Sequence, residues 1–358
     1  MSLLRYEFRK FIENIRIPED ISILEESRIV NEVFQYSKKI TPENLFRYRE
    51  CSARNIIAFE NDLIYLSKPT KFNDPYDSLI YINRQILEEE IKKVSNVQDF
   101  NRMERLIQDE NFRKEEEEKL GVDFIREIIS NYIASGSPKS FSKSFLENLE
   151  NQYLFILDNI ISQSVKALKQ SSLVGSFSEK VDSILMWSHY AMNHSGFVLN
   201  YNFKKLYSIE TPIKNIKATY FADKKLFPVI YSNDRFDATE YAEFHFIDDF
   251  QKRSGINLKQ SFYDKLFYYK ILLYKSLDWE YEKEWRIIKQ TNIDFTDNKP
   301  DFETLENIIP EEIYFGLHIE KEQKEKLITL ADKKGIRKYQ MTIEHYEKSY
   351  KLNYTELM

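Results

Sequence analysis

Cysteine occurs once, at Cys51, and glycine only seven times in 358 residues. A lone cysteine excludes an intrachain disulfide framework and any cysteine-rich zinc site. Next to basic residues Cys51 could act as a nucleophile, but a small core or near-core side chain is its expected role. Scarce glycine, with no G-x-G-x-x-G and no Walker-type lysine loop, disfavours the standard dinucleotide and nucleoside-triphosphate folds. An excess of positive charge is missing too. Lys and Arg total 52 against 58 Asp and Glu, a formal charge of -6, so there is no bulk attraction to a phosphate backbone and only a local basic groove stays open. Long apolar runs are also absent. The first segment, MSLLRYEFRKFIENIRIPED, is broken by charge every few residues and reads as neither signal peptide nor anchor. A cytoplasmic protein with no membrane partner is expected.

What the chain does have is aromatic mass. Its 24 Tyr and 26 Phe, within a hydrophobic fraction of 42%, predict a folded protein with a sizeable core. The length allows two units, or one domain carrying a large insertion.

Residues 1–44 are amphipathic, with Ile23, Val30, Val33 and Phe34 near helical spacing, and predict a helical lead-in that ends before Pro42 and packs onto the core. Then come the strand-like LFRYRE (45–50), a short helix opened by Ser52 as N-cap, and the strand DLIYLS (62–67). KPTKFNDPYD (68–77) demands an irregular loop. Residues 83–172 show helical spacing throughout and form a helical block, broken most clearly at GSPKS (136–140). From 173 onward LVGSFS, GFVLNY, IKATYF, FPVIYS and WRIIKQ read as strands, while 239–252 and 261–275 read as helical. EEIYFG, a helix over 320–334 and RKYQMTI close the chain. The expected fold is α+β, a mixed or antiparallel two-sheet core built from 45–82 and 173–358, with 83–172 as a large helical insertion.

Four stretches concentrate polar, aromatic and charged residues: FRYR (46–49), FNDPYD (72–77), MWSHYAMNHSG (186–196) and WEYEKEWR (279–286). In order they resemble a widespread, uncharacterised bacterial family known as a domain of unknown function. The features shared are Tyr48-Arg49, Ser67-Lys68-Pro69 with Phe72-Asn73-Asp74-Pro75, Ser176-Phe177-Ser178 with Trp187 and Tyr190, His194-Ser195-Gly196, and Glu282-Lys283-Glu284-Trp285-Arg286. The resemblance covers about 45–82 and 173–317, and it implies a setting of anti-phage defence or toxin-like action.

The same residue order is similar, at a greater distance, to the layout of ADP-ribosyltransferases, which use NAD as substrate. That resemblance implies Arg49 for the NAD phosphates or ribose, Tyr65 with Ser67 supporting nicotinamide, and Glu282 with Glu284 as the catalytic acids. Tyr48, Asp74, Tyr190 and His194 complete the implied NAD-binding set. The chemistry is coherent: breaking the nicotinamide glycosidic bond passes through an oxocarbenium-like state that a carboxylate, Glu284, can stabilise. Glu282, two residues earlier on a strand face or in the preceding turn, can orient or deprotonate the acceptor. Arg49 offers a forked donor suited to pyrophosphate.

Other readings stay open. E-x-E also occurs at Glu88/Glu90 and Glu280/Glu282, and Glu284, Arg286 and Arg49 could form structural ion pairs. Asn73 is expected to tie down its turn. His189 and His194 do not share a helix face, which speaks against a zinc pair, and Trp187, Tyr190, Trp279 and Trp285 read mostly as core. An alternative is a metal-dependent nuclease or hydrolase using Asp74, Asp77, His194, Glu282 and Glu284. Another is a non-enzymatic sensing module whose helical block contacts a protein partner. The acceptor, whether protein, nucleic acid or small molecule, is not specified by the sequence.

Overall fold

The N-terminal segment is helical, as its spacing predicts. Helix α1 (Leu3–Asn14) buries Arg5, Phe8 and Ile12, one residue per turn on a single face. Helix α2 (Ile23–Ile40) opens on Ser22, whose hydroxyl accepts from Glu25 N–H at 3.2 Å, places Glu25 and Glu26 in its first turn, and ends before Pro42. The computed structural model describes residues 3–18, 20–87, 99–134, 168–208, 226–245, 264–290 and 302–358, with the single positions 89, 136, 162, 163, 165 and 166.

The strands that follow are β1 (Leu45–Arg49), β2 (Ile64–Ser67), β3 (Ile80–Tyr81), β4 (Ser172–Ser178), β5 (Phe197–Tyr201), β6 (Leu226–Pro228), β7 (Ile230–Ser232), β8 (Phe236–Asp237), β9 (Tyr274–Ser276), β10 (Glu284–Gln290), β11 (Phe302–Leu305), β12 (Glu312–Phe315), β13 (Arg337–Thr342) and β14 (Asn353–Leu357). Ten of them form one mixed sheet, β11-β2-β4-β1-β5-β12-β13-β14, with β10 and β6 attached beside β4. Among the described residues only β12 and β13 run parallel in it, and the crossover they need is the helix Lys321–Lys334, which stops at the left-handed Gly335. Two short parallel pairs, β3-β8 and β7-β9, stand apart. The fold is α+β with a mixed sheet. Where the sequence predicts a two-sheet core, the strands form one large sheet running through β4, with two small sheets beside it.

Strand β4 is where the sheet forks. Along one edge it pairs with β10 over its whole length, from Ser172↔Gln290 to Ser178↔Glu284. On the other edge β2 takes the beginning, at Ser67↔Val174, and β1 takes the end, at Phe46↔Ser178. Alternation sorts the side chains. Leu173 and Phe177 of β4 join Trp285 and Ile287 of β10 in one apolar cluster. Val174 and Ile288 face the other way, into a cluster with Phe8, Ile12 and Val33 of the N-terminal helices. A third cluster packs Phe46 and Tyr48 against Met186, Trp187 and Tyr314. Glu284 and Arg286 share Ile288's face of β10.

Within the helical block, helices Asp99–Gln108, Glu110–Leu120 and Val122–Ala134 pack on one another around Leu106 and Ile125. Leu168, at the end of that segment, packs instead with the N-terminal helices. Two expectations need correcting. FPVIYS splits at Val229, whose N–H bonds the carbonyl of Glu284, so that its halves lie in different sheets. The helix expected over 261–275 is confined, within the described residues, to Phe267–Ile271, and Tyr274–Ser276 is a strand. The expected strand IKATYF and the break at 137–140 lie outside the described residues.

Candidate functional site

A cleft of about 120 Å³, open to solvent, lies at the fork, lined by β1, β4, β10, the loop after β2 and the chain around Lys275. Its acidic wall comes from two adjoining elements. A 3-10 helix, Leu277–Glu282, follows β9 and ends at Lys283, whose backbone is left-handed (φ 46). That turn delivers Glu282 from the helix and Glu284 from the first position of β10, so the two do not share one extended strand. Both carboxylates reach the Lys275 ammonium, Glu282 in a short contact and Glu284 at 3.2 Å, with Asp77 at 3.9 Å. Lys275 also lies 4.9 Å from the Trp279 ring centre.

Glu284 is further tied to Arg286, at 2.9 Å from Nε and 3.1 Å from Nη2. Arg286 grips Asp77 with both terminal nitrogens and donates to the Leu272 carbonyl at 2.7 Å. Burial alone would raise the Glu284 carboxyl, but Arg286 and Lys275 hold it well below the usual range. Glu282 goes the other way. Burial first and the neighbouring Glu284 charge second push it up to about 7, against the pull of Lys275. Tyr190 donates its hydroxyl to Glu282 at 2.5 Å, and burial together with that carboxylate pushes the phenol upward, so it remains a donor. Two buried carboxylates whose proton affinities are driven apart are the arrangement from which acid–base catalysis is built.

Two arginines of β1 also line the cleft. Arg47 is buried, with its guanidinium over the Phe177 ring at 5.3 Å and Nη2 bonded to the Tyr65 carbonyl. Its Nε and Nη1 have no hydrogen-bond partner. Arg49 donates to the Tyr48 carbonyl at 3.1 Å, and burial, with Arg54 nearby, lowers it to about 10. Neither arginine is ion-paired to a carboxylate among the described residues. Ser176 of β4 is exposed on the cleft floor and hydrogen-bonds Glu284.

Of the nine residues expected to carry catalysis and NAD binding, Tyr48, Arg49, Tyr190, Glu282 and Glu284 line this cleft. Tyr48 is held from below, its hydroxyl bonded to the Lys180 carbonyl and its ring edge-on to Trp187. The other four do not line it. Tyr65 turns its ring to Phe302 and Arg54 and offers the site only its carbonyl. Ser67 sits in β2 between Val174 and Phe302. Asp74 accepts from Tyr76 N–H at 2.9 Å and ties its own turn, the role expected of Asn73, while Asn73 faces the cleft 3.4 Å from the Tyr190 hydroxyl. His194 stacks on Trp187 and bonds Ser188 at 3.2 Å, in a turn where Met192, Asn193 and His194 are all left-handed. Gly196 closes that turn, where a Cβ would overlap the Arg49 carbonyl oxygen.

The five groups set out for a divalent ion are therefore not brought together. Asp77, Glu282 and Glu284 converge on Lys275 and Arg286, Asp74 and His194 lie elsewhere, and no group of three or more such ligands forms among the described residues. The reading of the sequence missed Arg47 and Lys275. For Arg47 a signal existed, since in FRYR it shares a strand face with Arg49. For Lys275, in YKS, there was none.

Residues 186–287 match a family model described as a protein of unknown function (DUF2971). The match takes in Trp187, Tyr190, the H-x-G turn and E-x-E-W-R, so both carboxylates and the tyrosine that bonds Glu282 fall inside it. It is narrower than the resemblance read from the sequence, and Tyr48-Arg49, F-N-D-P and S-F-S lie outside it. No curated protein and no solved structure matches the chain. Among the described residues no helix is long and apolar enough to cross a membrane.

Proposed function

We propose that the cleft is the catalytic site of a group-transfer enzyme that uses NAD as an ADP-ribosyl donor. One observation carries the reading. A buried carboxylate pair, split so that Glu284 stays ionised while Glu282 exchanges its proton near neutral pH, shares its cleft with two arginines that form no ion pair with a carboxylate among the described residues.

The roles follow from the geometry. Arg49, with the positive field of Arg47 behind it, offers the pyrophosphate a cationic wall that needs no glycine loop. Glu284 contributes a fixed negative charge beside the ribose as the glycosidic bond opens and positive charge develops. Glu282 takes the proton of the acceptor as it attacks, with Tyr190 and Lys275 holding its two oxygens in place. Lys275 and Arg286 already occupy the space between the carboxylates, an arrangement that favours charge stabilisation over the binding of a divalent ion there. The resemblance to defence effectors makes a macromolecule of the host or the phage the expected acceptor, with the helical block as its contact surface.

Incubation with labelled NAD and a bacterial extract, and in parallel with nucleic acid plus magnesium or manganese, tests the proposal. Label transfer or nicotinamide release that disappears in Glu282→Gln supports it. Absence of NAD binding at millimolar concentration removes it, and strand cleavage in the parallel arm would put a nuclease in its place.

A further inference from the structure

The first position of β10 is held by side chains on both sides of its peptide. The N–H of Glu284 donates to the Tyr231 hydroxyl at 2.7 Å. Its carbonyl accepts from the Val229 N–H at 2.9 Å and from Arg5 Nη1 at 3.0 Å. Arg5 belongs to α1, 279 residues earlier, and is withdrawn from solvent entirely, at 0% exposure. The same Nη1 donates to the Val229 carbonyl at 2.7 Å, and Nη2 to Glu179 at 2.6 Å. That Glu179 oxygen also accepts the indole N–H of Trp285 at 2.7 Å, while the guanidinium lies 5.4 Å from the centre of the Tyr231 ring.

Docking an amphipathic helix does not call for this. Phe8 and Ile12 already supply an apolar face, and a leucine at position 5 would extend it without desolvating a charge. The arginine's fork instead joins three strand segments around the peptide bearing Glu284: Val229 after β6, Glu179 after β4, and β10 itself. Its contacts to main chain depend on a planar, multi-donor head that lysine cannot reproduce.

We infer that Arg5 is a positioning residue: through the Glu284 carbonyl and the Glu179 carboxylate it fixes the start of β10 and so sets where the Glu284 carboxylate stands relative to Glu282. The inference rests on the carboxylate pair being the working site, but its main readout does not require NAD. Seven groups face the pair: Lys275 from β9, Arg286 from β10, Asp77 from the loop after β2, Ser176 from β4, Tyr190 from the helix Ile184–Tyr190, Tyr231 from β7 and Tyr281 from the 3-10 helix. None of them is on α1, and Arg5 reaches the pair through the main chain of β10 and through Tyr231, whose ring lies under its guanidinium.

The experiment uses the whole chain with carboxyl-labelled glutamate, the Glu282 signal being assigned by its loss in Glu282→Gln. Its titration is compared by NMR in wild type, Arg5→Lys and Arg5→Met, with melting followed in parallel. The Glu282 midpoint, near 7 in wild type, is expected to shift in Arg5→Met as the distance to the Glu284 charge changes, and to move part of the way in Arg5→Lys. Transfer from NAD should lose on the order of ten- to a hundredfold in kcat with KM little changed, because a small misplacement acts on chemistry more than on binding. If Arg5→Met melts lower but keeps the wild-type midpoint and kcat, Arg5 only docks its helix and the inference is overturned. Where Arg5→Met does not fold, Glu179→Gln, which removes the acidic partner, is read for the same shift, and an unmoved midpoint there is equally fatal. A moved midpoint in a protein that transfers nothing from NAD upholds Arg5 and rejects the NAD reading.

Discussion

Arg286 and Asp77, 209 residues apart in the chain, meet as a forked ion pair with both side chains buried, Nη1 standing 2.9 Å from Oδ1 and Nη2 bonded to Oδ2. The pair fastens the loop after β2 to β10 and thereby closes one end of the cleft. Because Arg286 also bonds Glu284, an element that looks purely structural fixes the charge of the neighbouring carboxylate.

Replacing Arg286 with methionine should cost about 3–5 kcal/mol, since Asp77 and Glu284 would be left buried without their cation. Urea unfolding would show this as a lower midpoint at an unchanged slope. A wild-type midpoint would mean that these carboxylates find other partners.

Glu282→Gln keeps the shape of the side chain and leaves Lys275 paired with Glu284. Melting should change little, NAD affinity should stay near wild type, and transfer should drop by about 10²–10⁴-fold. Glu284→Gln is expected to lose transfer and to melt lower as well, because it leaves Arg286 and Lys275 short of negative charge. Calorimetry beside a transfer assay separates the two variants; equal stabilities would contradict this division of roles.

The transfer rate should rise as pH passes through about 7, where Glu282 gives up its proton and becomes a base. The stability signs are opposite for the two carboxylates. Glu282 binds its proton more tightly folded than unfolded, so its contribution is full below its unfolded value and is lost as pH climbs through about 7. Glu284 is held low, so its contribution is present above the ordinary carboxylate range and is lost as acid is added. Unfolding measured from pH 4 to 8 should therefore show wild type losing ground to Glu282→Gln as pH rises; parallel curves would refute the buried-proton assignment.

Arg49→Ala and Arg47→Met should each weaken NAD binding about tenfold, roughly 1.4 kcal/mol, and flatten its dependence on salt. Titration calorimetry at two ionic strengths measures both effects. Wild-type affinity in the two variants would take the basic wall out of the mechanism.

Most strands and the helix after β1 were legible because alternation, Ser52 as a cap, and Pro42 act locally, whereas the Ser22 cap of α2 was not read. The fork was not. Periodicity shows that Ser67, Phe46 and Ser178 belong to strands but does not show that β1 and β2 share one edge of β4. The acidic pair could be read from E-x-E-W-R, while its partner Lys275 could not, since nothing in YKS distinguishes a buried lysine from a solvated one. The exchange between Asn73 and Asp74 had the same origin, because either side chain can cap the turn and only its tertiary surroundings decide which one does.

The helical block should be separable from the core, with a boundary set by Leu168. That residue packs with Phe8 and Val33, whereas Leu106 and Ile125 pack within the block. Replacing 90–160 with a flexible linker should leave a cooperatively unfolding core, and extending the excision through Leu168 should lower its melting temperature. Loss of cooperativity in the shorter excision would show that the core depends on the block.

The fork has a consequence for synthesis. A nascent chain that has reached Tyr201 already contains β1, β2, β4 and β5, but one edge of β4 waits for β10, and neither carboxylate has yet been made. With growth at about 5–20 residues per second, seconds pass before Glu282 and Glu284 appear, and Arg5 must remain unengaged until its partner strand arrives. A product cut short before residue 282 lacks both acids and the strand that completes the second edge of β4.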